Sequence, residues 1–463
     1  MGDQDGLREN RWVRRSSPAD LLAAAGVAMV ALTAACSGGS TMGDADGAGT
    51  DDAAADAGDD AAPEEAEPDG TVDDAAPDEP LDVAEAEADV EDDADAEDVP
   101  DAGPCVPWGP PDERGPYPVG VRDFAWRDPD RGGRNVATKV WYPALPPDPG
   151  ADPAVYLWLL RDTAYVDLPI DPGCAPYPLI LFSHGNKGIN FQSFTFTTYL
   201  ASHGFVVAAP NHAGNTMYDN PSDEQMAQVS LDRPIDMAFV LARMTDETSN
   251  PDSPLFGAVD VSRVGITGHS FGGYTTLVVG GGEVDRDAAV ARCDAGVPGD
   301  VFCPYVPYWP PGMVGTRLPE LAIVGAAVAL APGGYAAFGD DGLARTTAPT
   351  MVMGGTLDEY TRNDLRPIFD ALPAPKAKIE IADMGHMGFT DICRIAIAPI
   401  IPTLGEMCTR EGHIAINRGF AITDTFATAF LRLHLLDDAA MADYLTPEYA
   451  ATVFPESTFE GSP

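Results

Sequence analysis

The chain has few basic residues, no long apolar run and no cysteine pattern that would suggest a metal site. Only 27 Lys and Arg stand against 73 Asp and Glu in 463 residues, a formal net charge of −46. Such an acidic surface excludes nucleic acid and anionic membrane surfaces as main partners, because both recruit proteins through positive charge. The scarcity is absolute between Asp44 and Asp101, which hold 26 acidic residues, no Lys or Arg and no aromatic residue. A segment that cannot bury apolar area cannot offset the entropy of ordering, so residues 36–103 read as a disordered, self-repelling linker. Removing those 26 charges still leaves −20 on the remainder. No internal repeat is present.

The longest apolar stretch, Leu21 to Ala35, is too short for a comfortable bilayer span. It follows Arg8, Arg11, Arg14 and Arg15 and ends in small residues, so residues 1–35 read as a signal peptide. Its end, Leu32-Thr33-Ala34-Ala35-Cys36, resembles the lipobox of bacterial lipoproteins, with Thr33 departing from the usual Leu. The resemblance implies a lipidated Cys36, a membrane partner reached through that anchor, and a location in the cell envelope. Ser37 after the Cys implies the outer membrane in two-membrane bacteria. Six further cysteines remain, and an even number in an exported chain points to disulfides. Closeness in sequence favours Cys293–Cys303 and Cys393–Cys408, leaving Cys105 with Cys174.

Residues 104–463 read as one folded domain. Val119–Arg127 and Val136–Tyr142 read as two strands around a Gly-Gly turn. Pro178–Ser183, Phe205–Ala209, Arg263–Thr267, Ile323–Leu330, Thr350–Met353 and Ala377–Ile381 are short apolar runs, as strands covered on both faces require. Helical stretches are expected at Phe191–Ser202, Ile235–Met244, Phe271–Val279, Asp364–Leu372 and Ile414–Leu436. This alternation predicts an α/β fold with a mostly parallel sheet. An excursion at 283–320, rich in aromatics and proline, is either a lid or pocket wall or a surface loop pinned by a disulfide.

Gly268-His269-Ser270-Phe271-Gly272-Gly273 falls between a predicted strand and a predicted helix. A nucleophile on such a turn needs flanking glycines, because the turn is strained and packed against its neighbours. Ser270 is therefore the candidate nucleophile. A Ser hydroxyl needs a base, and the base a carboxylate that fixes its tautomer. Asp358 and His386 each stand just past the carboxyl end of a predicted strand, where chemistry gathers in open α/β sheets. Asp383 is a rival acid, but it shares a loop with His386. The developing oxyanion needs two backbone donors. Phe271, which follows the nucleophile, is one. The loop Ser183-His184-Gly185-Asn186-Lys187-Gly188 supplies the other, from Asn186 or else Lys187. His184, His203 and His212 read as structural, and His413 and His434 as part of the last helix.

Phe182-Ser183-His184-Gly185, Leu200 through Ala209 and Gly268 through Gly273 together resemble the platelet-activating-factor acetylhydrolase family and the related bacterial "predicted dienelactone hydrolases". Gly115 through Gly120 and Val140 through Ala144 resemble that group's opening strands. The similarity runs from about Gly115 to Leu436. It implies an α/β-hydrolase fold and an esterase or lipase that works through an acyl-enzyme without metal or cofactor. It also implies Asn186 and Phe271 as oxyanion donors, and short-chain esters or acetylated phospholipids as substrates. Dienelactone hydrolases proper use a Cys nucleophile, so Ser270 departs from them; lactones and polyesters remain alternatives. A different class of reading is a surface binding protein that kept the fold without turnover, against which the ordered Ser, Asp and His argue. On the targeting reading, Cys36→Ala should release the protein from detergent-extractable membranes or block its maturation. A chain beginning at Pro104 should fold and keep full ester hydrolysis; failure to fold would contradict the boundary.

Overall fold

The computed structural model describes residues 108–297, 300–315, 317–394, 408 and 412–463. The expected signal peptide, Cys36, the acidic linker and Cys105 lie outside them. Eleven strands form the main sheet: β1 (Val119–Phe124), β2 (Thr138–Pro143), β3 (Pro153–Tyr156), β4 (Leu160–Val166), β5 (Tyr177–Ser183), β6 (Val206–Pro210), β7 (Val259–His269), β8 (Val324–Leu330), β9 (Thr350–Gly355), β10 (Lys376–Ile381) and β11 (Ser457–Ser462). Their order across the sheet is β11-β10-β9-β8-β7-β5-β6-β2-β1-β4-β3. The six from β10 to β6 run parallel. β11 closes one edge antiparallel to β10, and β2 turns the other side antiparallel to β6.

The central strands are apolar because both of their faces are covered. All seven residues of β5 are buried, with Leu179 and Leu181 packing into one core cluster and Ile180 and Phe182 into another. That alternation is the two-residue period of a strand read in a two-sided core. On the Ile180 side lie α1 (Phe194–Ser202) and α7 (Ile416–Leu435), contributing Leu200, Phe426 and Phe430. On the other side lies α2 (Asp223–Ser249), contributing Met237 and Val240. There too a third cluster joins Leu277 of α3 (Phe271–Val279) to Ala337 of α5 (Tyr335–Leu343) and Ile368 of α6 (Arg362–Ala371). Among the described residues no helix is long and apolar enough to cross a membrane.

Helix α2 begins well before the expected Ile235. Ser222 and Gln225 form a capping box, in which the Ser222 hydroxyl accepts from the Gln225 amide at 3.3 Å and the Gln225 side chain accepts from the Ser222 amide at 2.8 Å. The helix then runs on through Pro234. His413 precedes α7 and is not part of it, whereas His434 lies within it.

The excursion at 283–320 carries α4 (Arg286–Asp294) and a short ribbon that pairs Val284–Asp285 with Val314–Gly315. Two of its aromatics belong to the core: Phe302 and Trp309 are buried, with the Phe302 ring centroid 4.3 Å from that of Tyr274 on α3. Trp309 donates from its indole nitrogen to the Ser230 hydroxyl on α2 at 2.8 Å. The segment is therefore a packed wall against the helix that follows Ser270, and among its described large apolar side chains Tyr308 and Val314 are well exposed.

Cys293 is bonded to Cys303 and Cys393 to Cys408, as sequence proximity predicts. Cys174 is also disulfide-bonded. Each native disulfide is worth about 2–4 kcal/mol. Reduction should therefore lower the melting temperature, and alkylation of native exported protein should find no free thiol among the six downstream cysteines. Six reactive thiols under native conditions would refute the pairing.

Candidate active site

Three loops at the carboxyl ends of β7, β9 and β10 bring the chemistry together. Ser270, between β7 and α3, has φ 58° and ψ −115°, a left-handed conformation that strains a residue bearing a Cβ. The turn is held from both sides: the Ser270 amide donates to the Leu330 carbonyl at 2.8 Å and the Ser270 carbonyl accepts from the Tyr274 amide at 3.1 Å. A Cβ on Gly268 would stand 2.5 Å from the Gly272 carbonyl oxygen, and one on Gly272 would overlap the Ser183 carbonyl oxygen. A Cβ on Gly273 would meet the backbone of Pro332 at 2.8 Å. The glycines are thus dictated by space, and they seat the turn directly on the end of β5.

His386 Nε2 lies 2.8 Å from Ser270 Oγ, and His386 Nδ1 lies 2.8 Å from Asp358 Oδ2. Ser270 is partly accessible, while His386 and Asp358 are buried. Asp358 accepts further bonds from the amides of Tyr360 (2.8 Å) and Thr361 (2.9 Å) and from the Thr361 hydroxyl (2.7 Å). Burial alone would raise its pKa. The His386 ring and the bonds from His386 and Thr361 outweigh that and hold the carboxyl well below the usual range. Asp383, the rival, is exposed and makes no bond to His386 among the described residues. Its backbone instead helps lace the two loops, with its amide donating to the Thr356 hydroxyl at 2.9 Å and the Leu357 amide donating to the Met384 carbonyl at 3.0 Å.

Two residues with no sequence-level signal complete the support. Thr361 gives Asp358 its hydroxyl bond, and Gln192 holds His269. The His269 ring lies between Gln192 Nε2 (3.1 Å from Nδ1) and the His386 carbonyl oxygen (2.9 Å from Nε2). Burial, with His386 nearby, pushes its pKa down to about 3, so the ring is neutral. In that pattern Nδ1 accepts and Nε2–H donates, pinning the backbone of His386. The sequence placed His269 only as a neighbour of Ser270.

The two expected oxyanion donors lie on adjoining elements. Phe271 is the first residue of α3, where helical amides have no partner within the helix. Asn186 lies on the loop after β5, its side-chain oxygen accepting from Asn215 Nδ2 at 2.8 Å. Lys187, also in a left-handed conformation, directs its ammonium to Asn220 Oδ1 at 3.0 Å.

The Ser270, His386 and Asp358 loops stand on a sheet of the α/β-hydrolase fold. The chlorophyllase family model matches residues 163–291, a span that includes the loop after β5 and the Ser270 turn but not Asp358 or His386. Among solved structures, a ferulic acid esterase from Streptomyces cinnamoneus is 23% identical, with a TM-score of 0.50 over 74% of this chain and 96% of that one.

One further carboxyl lies beneath the acid loop. Asp364, at the start of α6, accepts from the Gly334 amide at 2.9 Å. Burial and the neighbouring Asp300 push its pKa up to about 8 from 3.8. The folded state therefore holds a proton that the unfolded chain releases, and stability falls as pH rises from about 4 through 8. Asp364→Asn should raise the melting temperature above wild type at pH 9 and leave it nearly unchanged at pH 4. A pH-independent difference would show that Asp364 ionises normally.

Proposed function

We propose that the chain is a serine-dependent carboxylic ester hydrolase, with Ser270 as nucleophile, His386 as general base and acid, and Asp358 as its orienting carboxylate. The observation that carries this reading is the unbroken pair of 2.8 Å contacts from Ser270 Oγ through the imidazole to Asp358. His386 Nε2 takes the proton as Ser270 Oγ attacks the ester carbonyl. The negative charge that forms on the carbonyl oxygen faces the amides of Asn186 and Phe271. Collapse breaks the bond to the alcohol, which leaves with the proton from His386. Water, deprotonated by the same imidazole, then releases the acid from Ser270. The ferulic acid esterase described above performs ester chemistry on the same fold, and this reading extends that chemistry to the present chain. Short-chain esters and acetylated phospholipids are the leading substrates. The disulfides support an exported protein, tethered through Cys36 and its linker.

Purified Ser270→Ala and His386→Ala should each lose roughly 10⁴–10⁶ in kcat, with the double variant scarcely worse than either. Asp358→Asn should cost about 10⁴ by leaving the imidazole in the wrong tautomer, while Asp383→Asn stays near wild type. A phosphonate probe should label Ser270 in native but not heat-denatured protein. Wild-type rates in Ser270→Ala would end the reading, and a crippled Asp383→Asn would move the acid.

A further inference from the structure

We propose that Arg233, on α2, is the positioning residue of the oxyanion site, aligning the Asn186 and Phe271 amides without touching substrate; the inference rests on the hydrolase reading above. Arg233 is fully buried, and among the described residues no carboxylate lies within ion-pair distance of it. Burial pulls its pKa down to about 9, so it remains a cation at neutral pH. A buried cation without a direct counter-ion is costly, and here it is spent on neutral acceptors.

Those acceptors converge on one loop. Arg233 Nη1 donates to the His184 carbonyl at 2.5 Å and to the Ser183 hydroxyl at 3.3 Å. Nη2 donates to the Gly185 carbonyl at 3.0 Å and to Asn215 Oδ1 at 2.5 Å. Asn215 in turn donates to the Asn186 side chain at 2.8 Å. The guanidinium also lies over the Phe271 ring, its carbon 4.3 Å from the centroid. One side chain therefore grips both elements that supply the oxyanion donors.

The grip sets a direction as well as a place. The Gly185 carbonyl and the Asn186 N–H share one planar trans peptide unit, so they point opposite ways. Arg233 Nη2, the His184 ring (Nδ1, 2.8 Å) and the Gly188 amide (3.1 Å) all bond that carbonyl. Pinning the carbonyl inward turns the Asn186 N–H outward. That peptide plane carries the Asn186 N–H and not the Lys187 N–H.

A second Ser-His-Asp chain lies behind the loop. Ser183 Oγ is 3.0 Å from His212 Nε2, and His212 Nδ1 is 2.9 Å from Asp236, which Arg134 and Arg131 clasp. Ser183, His212 and Asp236 are all fully buried, so no ester reaches them. This chain braces the Ser183 hydroxyl that Arg233 also holds.

Lys at position 233 keeps the charge but has one nitrogen and no plane, so it cannot bridge two successive carbonyls and stack on a ring. With rates normalised to Ser270 sites titrated by phosphonate, Arg233→Lys should lose about 10²-fold in kcat while KM moves less than about threefold. A trifluoromethyl ketone, whose hemiketal with Ser270 places an oxyanion in the same site, should bind weaker by the same factor. A role confined to folding would lower the titrated fraction and leave the per-site kcat and the inhibition constant unchanged; that result would overturn the proposal. Should Arg233→Lys not fold, Asn215→Ala and Phe271→Leu are read the same way. Matched losses in kcat and inhibitor binding support the proposal, and wild-type values refute it. If Ser270→Ala retained turnover, the hydrolase reading and this one would fall together. Normal wild-type chemistry with an unaffected Arg233→Lys would remove this inference alone.

Discussion

The contact on which the site depends is the one between Gly272, two residues after Ser270, and the last carbonyl of β5. Gly272 approaches Ser183 more closely than any residue with a side chain could. That approach sets the height of Ser270 above the sheet. It also fixes the distance between the helix carrying Phe271 and the loop carrying Asn186. A methyl group there would separate two elements that, in the proposed mechanism, face a single oxygen atom, so the constraint is geometric before it is chemical.

The central sheet was legible because strands covered on both faces must be apolar throughout, as Tyr177–Ser183 and Val324–Leu330 are. Of the outer strands, Val119–Phe124 and Thr138–Pro143 were legible too, but Pro153–Tyr156, Leu160–Val166 and Ser457–Ser462 were not. Leu160–Val166 alternates buried residues with Arg161 and Thr163, and Ser457–Ser462 is half polar, because each lies where solvent reaches one side. Helix α2 carried a readable capping signal in Ser222 and Gln225, but its apolar period shows clearly only beyond Pro234. Ser270, Asp358 and His386 were found because loops at the carboxyl ends of strands are short and marked by glycine. Thr361, Gln192 and Arg233 were not, because no spacing along a sequence tells which loop a distant side chain meets in space.

Charge is used sparingly in this acidic chain. Among the described residues the surface carries most of the carboxylates, yet the neighbourhood of the site depends on a few buried groups whose partners are fixed. Asp358 is ionised because three donors and an imidazole surround it, whereas Asp364 keeps its proton because it is buried beside Asp300. Two carboxyls in adjoining positions thus hold opposite protonation states at neutral pH, and the difference lies wholly in what each one faces.

The strand pairing at the sheet edge bears on the order in which the site's supports are assembled. Lys376–Ile381, the strand that leads to His386, is paired along its length with Ser457–Ser462, and the Ala382 amide just beyond it donates to the Glu456 carbonyl at 2.6 Å. Ribosomes add residues from the N-terminus, so the segment bracing the His386 loop emerges long after the turn at Ser270. Until that last strand is in place, the imidazole loop lacks its outer support. Support of the His386 loop is in this way coupled to the arrival of Ser457–Ser462, and a product truncated before that strand would carry the Ser270 turn without the outer brace of the His386 loop.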